Sequence, residues 1–144
     1  MIETEYDVVV AGYGPVGETC ANLLGYYGIK ALILDKEKNA YPLPRAITWD
    51  AECQRAMSHC EFLSEVKTRK IRGVDNKDAN KKSIMKITTE GFDTYNYQHR
   101  ILFIHQPQFD EAHRENAEKY PTNIIKTGSE LLAVDEINGV INCT

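Results

Sequence analysis

The sequence lacks paired cysteine motifs: Cys20, Cys53, Cys60 and Cys143 form no CxxC pair and have none of the close Cys/His spacing that a zinc site needs. Reduced thiols are the expectation. The four histidines, His59, His99, His105 and His113, show no metal spacing either and read as surface or packing residues, so no metal site is expected. No apolar run approaches roughly 18 residues, which argues against a membrane-spanning helix. The first apolar stretch, Val8 to Ala11, follows Glu3, Glu5 and Asp7 and is too short for a secretory signal. Clustered positive charge is also scarce. The formal net charge is -4, with one short basic cluster from Lys67 to Arg72 and a Lys81-Lys82 pair, so a nucleic-acid partner fits poorly. A soluble, cytoplasmic protein is the expectation. What is present is 144 residues at 42% hydrophobic content, enough for one core in a single domain or part of one.

Tyr6 to Ala11 is a short β-branched run ending at a glycine, which predicts a strand buried on both faces of a parallel sheet. Val16, Cys20, Leu23, Leu24 and Tyr27 then fall on one stripe of a helix, with Gly28 placed to end it. Ile29 to Leu34 repeats the buried-strand pattern. Strand, helix and strand within about 30 residues make a βαβ unit, spanning residues 6–38.

Residues 39–66 read as a Pro-containing extended loop, Asn39 to Ile47, and a second helix. Asp50 is its expected N-cap, and Cys53, Ala56, Met57, Cys60 and Leu63 carry it to about Val66, with Cys53 and Cys60 as core thiols. Residues 67–105 form a polar excursion in which Ser83 to Thr89 and Tyr95 to Ile104 alternate as exposed antiparallel strands. Tyr95 and Tyr97 there suggest packing against a sheet face. In residues 106–144, Gln106 and Pro107 open a third helix with Phe109, Ala112, His113 and Asn116 or Ala117 on one side, and Pro121 ends it. Asn123 to Lys126 and Leu131 to Val134 follow as short strands, with a hairpin around Asn138-Gly139. The expected fold class is α/β: a Rossmann-type βαβ core with a parallel sheet and an antiparallel strand excursion.

Gly12-Tyr13-Gly14-Pro15-Val16-Gly17 fits GxGxxG, directly after a predicted strand and directly before a predicted helix. In that context Gly12 permits a tight turn, Gly14 lets the backbone approach a pyrophosphate, and Gly17 lets the helix pack close to the strand. Pro15 and Val16 open a helix whose free N–H groups favour phosphate. Asp35 stands at the end of the second strand, about 20 residues on, where a carboxylate accepts hydrogen bonds from a ribose and repels a 2′-phosphate. These features point to a dinucleotide of the FAD or NAD kind. An NAD domain usually continues with alternating strands and helices, whereas this chain inserts a loop, a helix and a polar excursion, which favours FAD.

The segments DVVVAGYGPVGETCANLLGYYGIKALILDKE, YPLPRA and HQPQFDEAHR together resemble the flavin-dependent aromatic hydroxylases, single-component FAD monooxygenases, and most of all the 3-(3-hydroxyphenyl)propionate hydroxylase branch. The resemblance implies that Gly12, Gly14 and Gly17 form the pyrophosphate loop. It implies that Asp35 is the ribose ligand, where the family more often has the longer Glu. It further implies that Arg45 is the loop arginine lying against the cofactor and that Gln106 contacts the cofactor from the start of its helix. Without it, Arg45 is a surface arginine and Gln106 a helix N-terminal polar residue. Lys36 could touch the adenosine but reads more simply as a solvated side chain.

In that family a reduced nicotinamide, NAD(P)H, reduces FAD, and oxygen then hydroxylates a phenolic ring. The family's later motifs, one with Asp-Gly and one with Gly-Asp, have no match here. The resemblance therefore implies the amino-terminal part of an FAD-binding domain, incomplete at its carboxy terminus and inactive alone, with the phenolic substrate bound by a longer parent. A stand-alone nucleotide-binding module and a poorly folding piece remain as other readings.

Overall fold

The computed structural model describes residues 5–58, 66–88 and 102–144. In chain order the elements are β1 (Val8–Ala11), α1 (Pro15–Tyr26), β2 (Ala31–Asp35), β3 (Ala46–Trp49), α2 (Ala51–Ala56), β4 (Thr68–Lys70), β5 (Gly73–Lys77), β6 (Ser83–Thr88), β7 (Leu102–His105), α3 (Gln106–Glu118), β8 (Asn123–Thr127), β9 (Val134–Ile137) and β10 (Val140–Cys143). They fall into two compact units, one of Met1–Leu43 with Asp110–Thr144, the other of Pro44–Phe109.

The first unit carries a parallel sheet in the order β1-β2-β8, with Val9 opposite Leu32 and Leu32 opposite Ile124. The β-branched runs form strands because such side chains pack well on a pleated surface. The central strand β2 buries Ala31 and Ile33 completely. In contrast, β1 is half-buried, with Ala11 exposed, and is not covered on both faces as its sequence suggests. Among the described residues β1 pairs with β2 alone.

A larger correction concerns α1. Within the stripe of Val16, Cys20, Leu23, Leu24 and Tyr27, Leu24 packs against the core, but Val16 is 79% exposed, Tyr27 65% and Cys20 exposed as well. The helix instead buries Gly17, Glu18, Ala21, Asn22 and Gly25. Small residues face inward because the helix lies very close to its neighbours. A Cβ on Gly17 would run into the Gly12 carbonyl, and one on Gly25 into the Tyr120 ring. The core of this unit is Tyr13, Ala21, Ala31, Ile33 and Ala117, with Val10, Leu24 and Ile125 packed against it.

Helix α3 follows its predicted pattern. Pro107 sits in the first turn, where its missing N–H costs nothing, and Phe109, His113, Asn116 and Ala117 are buried. The helix ends at Glu118, ahead of Pro121. Asn123, the first residue of β8, donates from Nδ2 to the carbonyls of Ala21 (3.0 Å) and Ala117 (2.9 Å), tying both helices to the sheet. The strand expected at Leu131 to Val134 begins only at Val134. It pairs antiparallel with β10 through Asn138 and Gly139, whose φ of 55° and 79° suit a tight two-residue hairpin.

The second unit holds an antiparallel sheet, β3-β7-β4, and the β5-β6 hairpin. The segment expected to be loop as far as Ile47 contains the start of β3, which pairs with β7. Both β4 and β5 lie in the stretch read only as polar; their side chains are largely exposed, so they carry no apolar alternation to reveal them. Asp50 caps α2 as predicted, accepting the Cys53 N–H at 2.8 Å, and that bond holds its carboxyl below the ordinary carboxylate pKa.

Helix α2 is short, closing at Met57, and Cys53 is exposed and not a core thiol as expected. The continuation through Cys60 and Leu63 falls outside the described residues, as do His59, His99, Tyr95 and Tyr97. Trp49 and Phe109 meet edge to face, with ring centroids 5.3 Å apart. Among the described residues no helix is long and apolar enough to cross a membrane, and no group of His, Cys, Asp and Glu could hold a metal ion.

Candidate functional site

The site begins where β1 ends. Gly12 takes φ 105°, which a side chain would resist, and its N–H donates to the Leu34 carbonyl at 2.7 Å, so the chain turns sharply while still tied to β2. The next N–H, that of Tyr13, donates to Asp35 Oδ2 at 2.7 Å. Asp35 Oδ1 accepts the Glu37 N–H at 2.8 Å. The carboxylate at the end of the second strand is thus oriented by two backbone donors, and each oxygen keeps a further lone pair for an incoming hydroxyl.

Gly14 is the N-cap of α1, with φ -91° and ψ -170°, and its carbonyl accepts the first helical bond from Glu18 N–H at 2.8 Å. A Cβ built on Gly14 meets nothing within 4 Å, so this side of the loop is open. Pro15 occupies the first helical position and Val16 projects into solvent. The opening turn of the helix leaves backbone N–H groups without intrahelical partners and carries the positive end of the helix dipole. Gly17, by contrast, is pressed against the Gly12 carbonyl. An open helix N-terminus beside an oriented carboxylate suits a phosphate and a vicinal diol together.

The structure therefore brings together Gly12, Gly14, Pro15, Val16, Gly17 and Asp35 in the first unit. Lys36 follows Asp35 and is exposed. Arg45 and Gln106 belong to the second unit, where the register pairs Ala46 with His105 and so sets both residues at one end of the β3-β7 ladder. Arg45 is exposed and Gln106 buried.

Sequence reasoning missed a polar cluster directly behind the loop. Tyr13 turns its side chain into the core at 1% exposure, and burial, with Glu18 close by, pushes its phenol well above the ordinary value. Arg114 of α3 donates from Nη2 to the Tyr13 carbonyl and from Nε to Glu18 Oε1 at 2.8 Å, with its guanidinium 4.5 Å from the Tyr13 ring centroid. Glu18 Oε2 lies 3.6 Å from His113 Nδ1, both side chains fully buried. Asn22 donates to the His113 carbonyl at 2.9 Å, and Asn116 donates to Asn22 at 2.6 Å. The one local signal was Glu18 and Asn22, four residues apart on the small-residue face of α1; their partners on α3 are distant in sequence.

The family described as FAD binding domain matches residues 5–140. Among curated relatives, 3-(3-hydroxy-phenyl)propionate/3-hydroxycinnamic acid hydroxylase of Escherichia coli K12 is 32% identical over 119 residues, 79% of this chain and 21% of the relative. The protein of that name in Burkholderia cenocepacia is 25% identical over 131 residues, 90% of this chain and 24% of the relative. The chain thus spans about a quarter or less of the length of these two relatives. Among solved structures, p-nitrophenol 4-monooxygenase of Pseudomonas putida DLL-E4 superposes with a TM-score of 0.80 at 22% identity, covering 99% of this chain and 36% of that one. The anhydrotetracycline hydroxylase of Streptomyces rimosus gives 0.76 at 22% identity, covering 97% and 28%. At those identities the likeness concerns the fold.

Proposed function

Because this chain belongs to the FAD-binding domain family, we propose that its glycine loop and Asp35 hold the pyrophosphate and adenosine ribose of FAD in a Rossmann-type site. The single observation that carries the reading is the Tyr13 N–H to Asp35 bond beside an open Gly14. It sets a hydroxyl-accepting carboxylate against the phosphate-accepting helix start. The shorter Asp suits a ribose with free hydroxyls and repels a 2′-phosphate.

FAD, when bound, supplies the redox chemistry, while the protein binds and orients it. Gly14 gives close backbone approach, the first turn of α1 offers N–H donors to phosphate, and Asp35 accepts from the ribose. Arg45 and Gln106, neighbours at the end of the β3-β7 ladder, serve the same cofactor in this proposal. Lys36 stays solvated beside the adenosine end.

The names of the curated relatives favour a parent activity of the same class, hydroxylation of a phenolic compound; NAD(P)H as its reductant and a place in the cytoplasm complete the proposal. That activity belongs, in this proposal, to a protein of the relatives' length, and these 144 residues bind without turning over. A nucleotide-binding module with no catalysis of its own is the second reading. It is favoured by the open helix start at Gly14 and the Asp35 carboxylate beside it, which suit a phosphate and a ribose.

The test is to titrate the chain with FAD while following flavin fluorescence and thermal melting, since a ligand that binds only the folded state must raise the melting temperature. Saturable binding with a melting shift supports the assignment. A cooperative melt that FAD leaves unmoved would sink it.

A further inference from the structure

We propose that Arg114, anchored by Glu18, is a positioning residue that sets the orientation of the Tyr13–Gly14 peptide and so aims the Gly14 N–H at the pyrophosphate. The inference deepens the FAD-site reading above and rests on it. It starts from the planarity of the peptide bond: in a trans peptide the carbonyl of one residue and the N–H of the next point in opposite directions. No cis peptide occurs among the described residues.

The peptide joining Gly12 to Tyr13 is fixed at both ends. Its N–H donates to Asp35 Oδ2 at 2.7 Å, and its carbonyl rests where a Cβ on Gly17 would lie. The following peptide has its carbonyl, that of Tyr13, bonded to Arg114 Nη2 on the inner side of the loop. Its N–H, that of Gly14, therefore faces away from Arg114, and Gly14 is exposed, with open space where its side chain would be. Without a donor behind it, the Tyr13 carbonyl has no reason to stay inward, and glycine at position 14 permits the peptide to rotate.

The remaining contacts hold Arg114 at that task. Glu18 Oε1 accepts from its Nε at 2.8 Å, and the Tyr13 ring lies 4.5 Å from its guanidinium carbon. The Tyr13 hydroxyl reaches the Arg114 carbonyl at 3.5 Å. Glu18 itself is fully buried on α1, one helical turn past Gly14, whose carbonyl accepts its N–H. The planar guanidinium suits this place because it donates in two directions at once, to a carboxylate and to a carbonyl.

The test uses the full chain, FAD as probe, and two variants. Arg114→Lys keeps the charge beside Glu18 but loses the fork that reaches the Tyr13 carbonyl. Glu18→Leu with Arg114→Met removes the carboxylate and the guanidinium together, and replacing a buried ion pair by apolar groups of similar volume often leaves stability unchanged or improved. The expected result is a melt close to the parent with FAD dissociation constants raised about tenfold or more, equivalent to about 1.4 kcal/mol. In the unliganded variants, the Gly14 amide resonance should move from its parent position while those of Leu32, Ile33 and Leu34 in β2 stay in place.

A purely structural role predicts that affinity returns with stability in the double variant. Parent-like FAD affinity in either folded variant, or a Gly14 amide resonance that does not move, would overturn the proposal. Loss of folding in both variants would overturn it too, by assigning the cluster to the fold. Failure of the parent itself to bind FAD would instead strike the site reading, and is seen before any variant is made.

Discussion

Gly14 and Gly17 belong to one motif, yet the structure gives them opposite roles, and alanine at each separates binding from folding. At Gly14 an added Cβ meets nothing within 4 Å, and φ -91° with ψ -170° is extended backbone open to any residue. Two small terms then oppose each other. Gly→Ala stabilises by about 0.4–1 kcal/mol through the unfolded chain when the native conformation is compatible. Losing glycine at an N-cap costs a similar fraction of about 1 kcal/mol. The unliganded melting temperature should therefore move by no more than about 3 °C. FAD affinity should fall at least about tenfold, or about 1.4 kcal/mol, because the methyl occupies the space through which the pyrophosphate approaches.

At Gly17 the added Cβ collides with the Gly12 carbonyl, and both partners are backbone, so neither can swing aside. Overpacking costs about 1–3 kcal/mol, and the rigid partner puts this case at the upper end. The expected fall in melting temperature is about 6–12 °C, at about 2–4 °C per kcal/mol for a chain of this size. Calorimetry and flavin fluorescence on the parent and both variants decide the matter. Gly14→Ala binding FAD as tightly as the parent would refute the close-approach argument, and Gly17→Ala melting with the parent would refute the packing argument.

Asp35→Ala should weaken adenine dinucleotides by about 1–3 kcal/mol, the usual loss for a charge-assisted hydrogen bond, and should also lower stability because the Tyr13 and Glu37 N–H groups lose their acceptor. AMP held as tightly by the variant as by the parent would show that the carboxylate does not touch the ribose. Asp50→Ala should cost about 1 kcal/mol at neutral pH through the lost N-cap. The Cys53 N–H lowers the folded-state pKa of Asp50 below its ordinary 3.8. Its contribution is therefore present above that ordinary value and lost as pH falls through the folded one, so parent and variant denaturation curves should converge in acid. A gap that persists unchanged into strong acid would contradict the cap. Asn123→Ala should cost about 2–3 kcal/mol in chemical denaturation, since the carbonyls of Ala21 and Ala117 both lose a donor. A loss under half a kcal/mol would mean that water replaces the amide.

The buried face of α1 shows why some of this structure was legible in the sequence and some was not. A search for large apolar residues at helical spacing finds Val16, Cys20 and Tyr27, all of which lie in the open. The informative spacing was Gly17, Ala21 and Gly25, three small residues at intervals of four that let the helix settle against the Gly12 carbonyl and the Tyr120 ring. The glycine motif and Asp35 were readable because the turn, the close approach and the carboxylate are specified by local residues within one βαβ stretch. The Asp50 cap and the Asn138-Gly139 turn were readable for the same reason.

Arg114 and Glu18 were not, since nothing near either residue states that they face each other. Their meaning depends on α3 returning to α1 after the whole second unit has intervened. Distance along the chain also explains the strands. Parallel pairing of β2 with β8 joins Leu32 to Ile124, and short exposed strands such as β4 take their structure from a partner, β7, and not from a pattern of their own. Local chemistry therefore announces the loop that would hold a dinucleotide, while the groups that keep the loop's peptides aimed emerge only when the chain is folded.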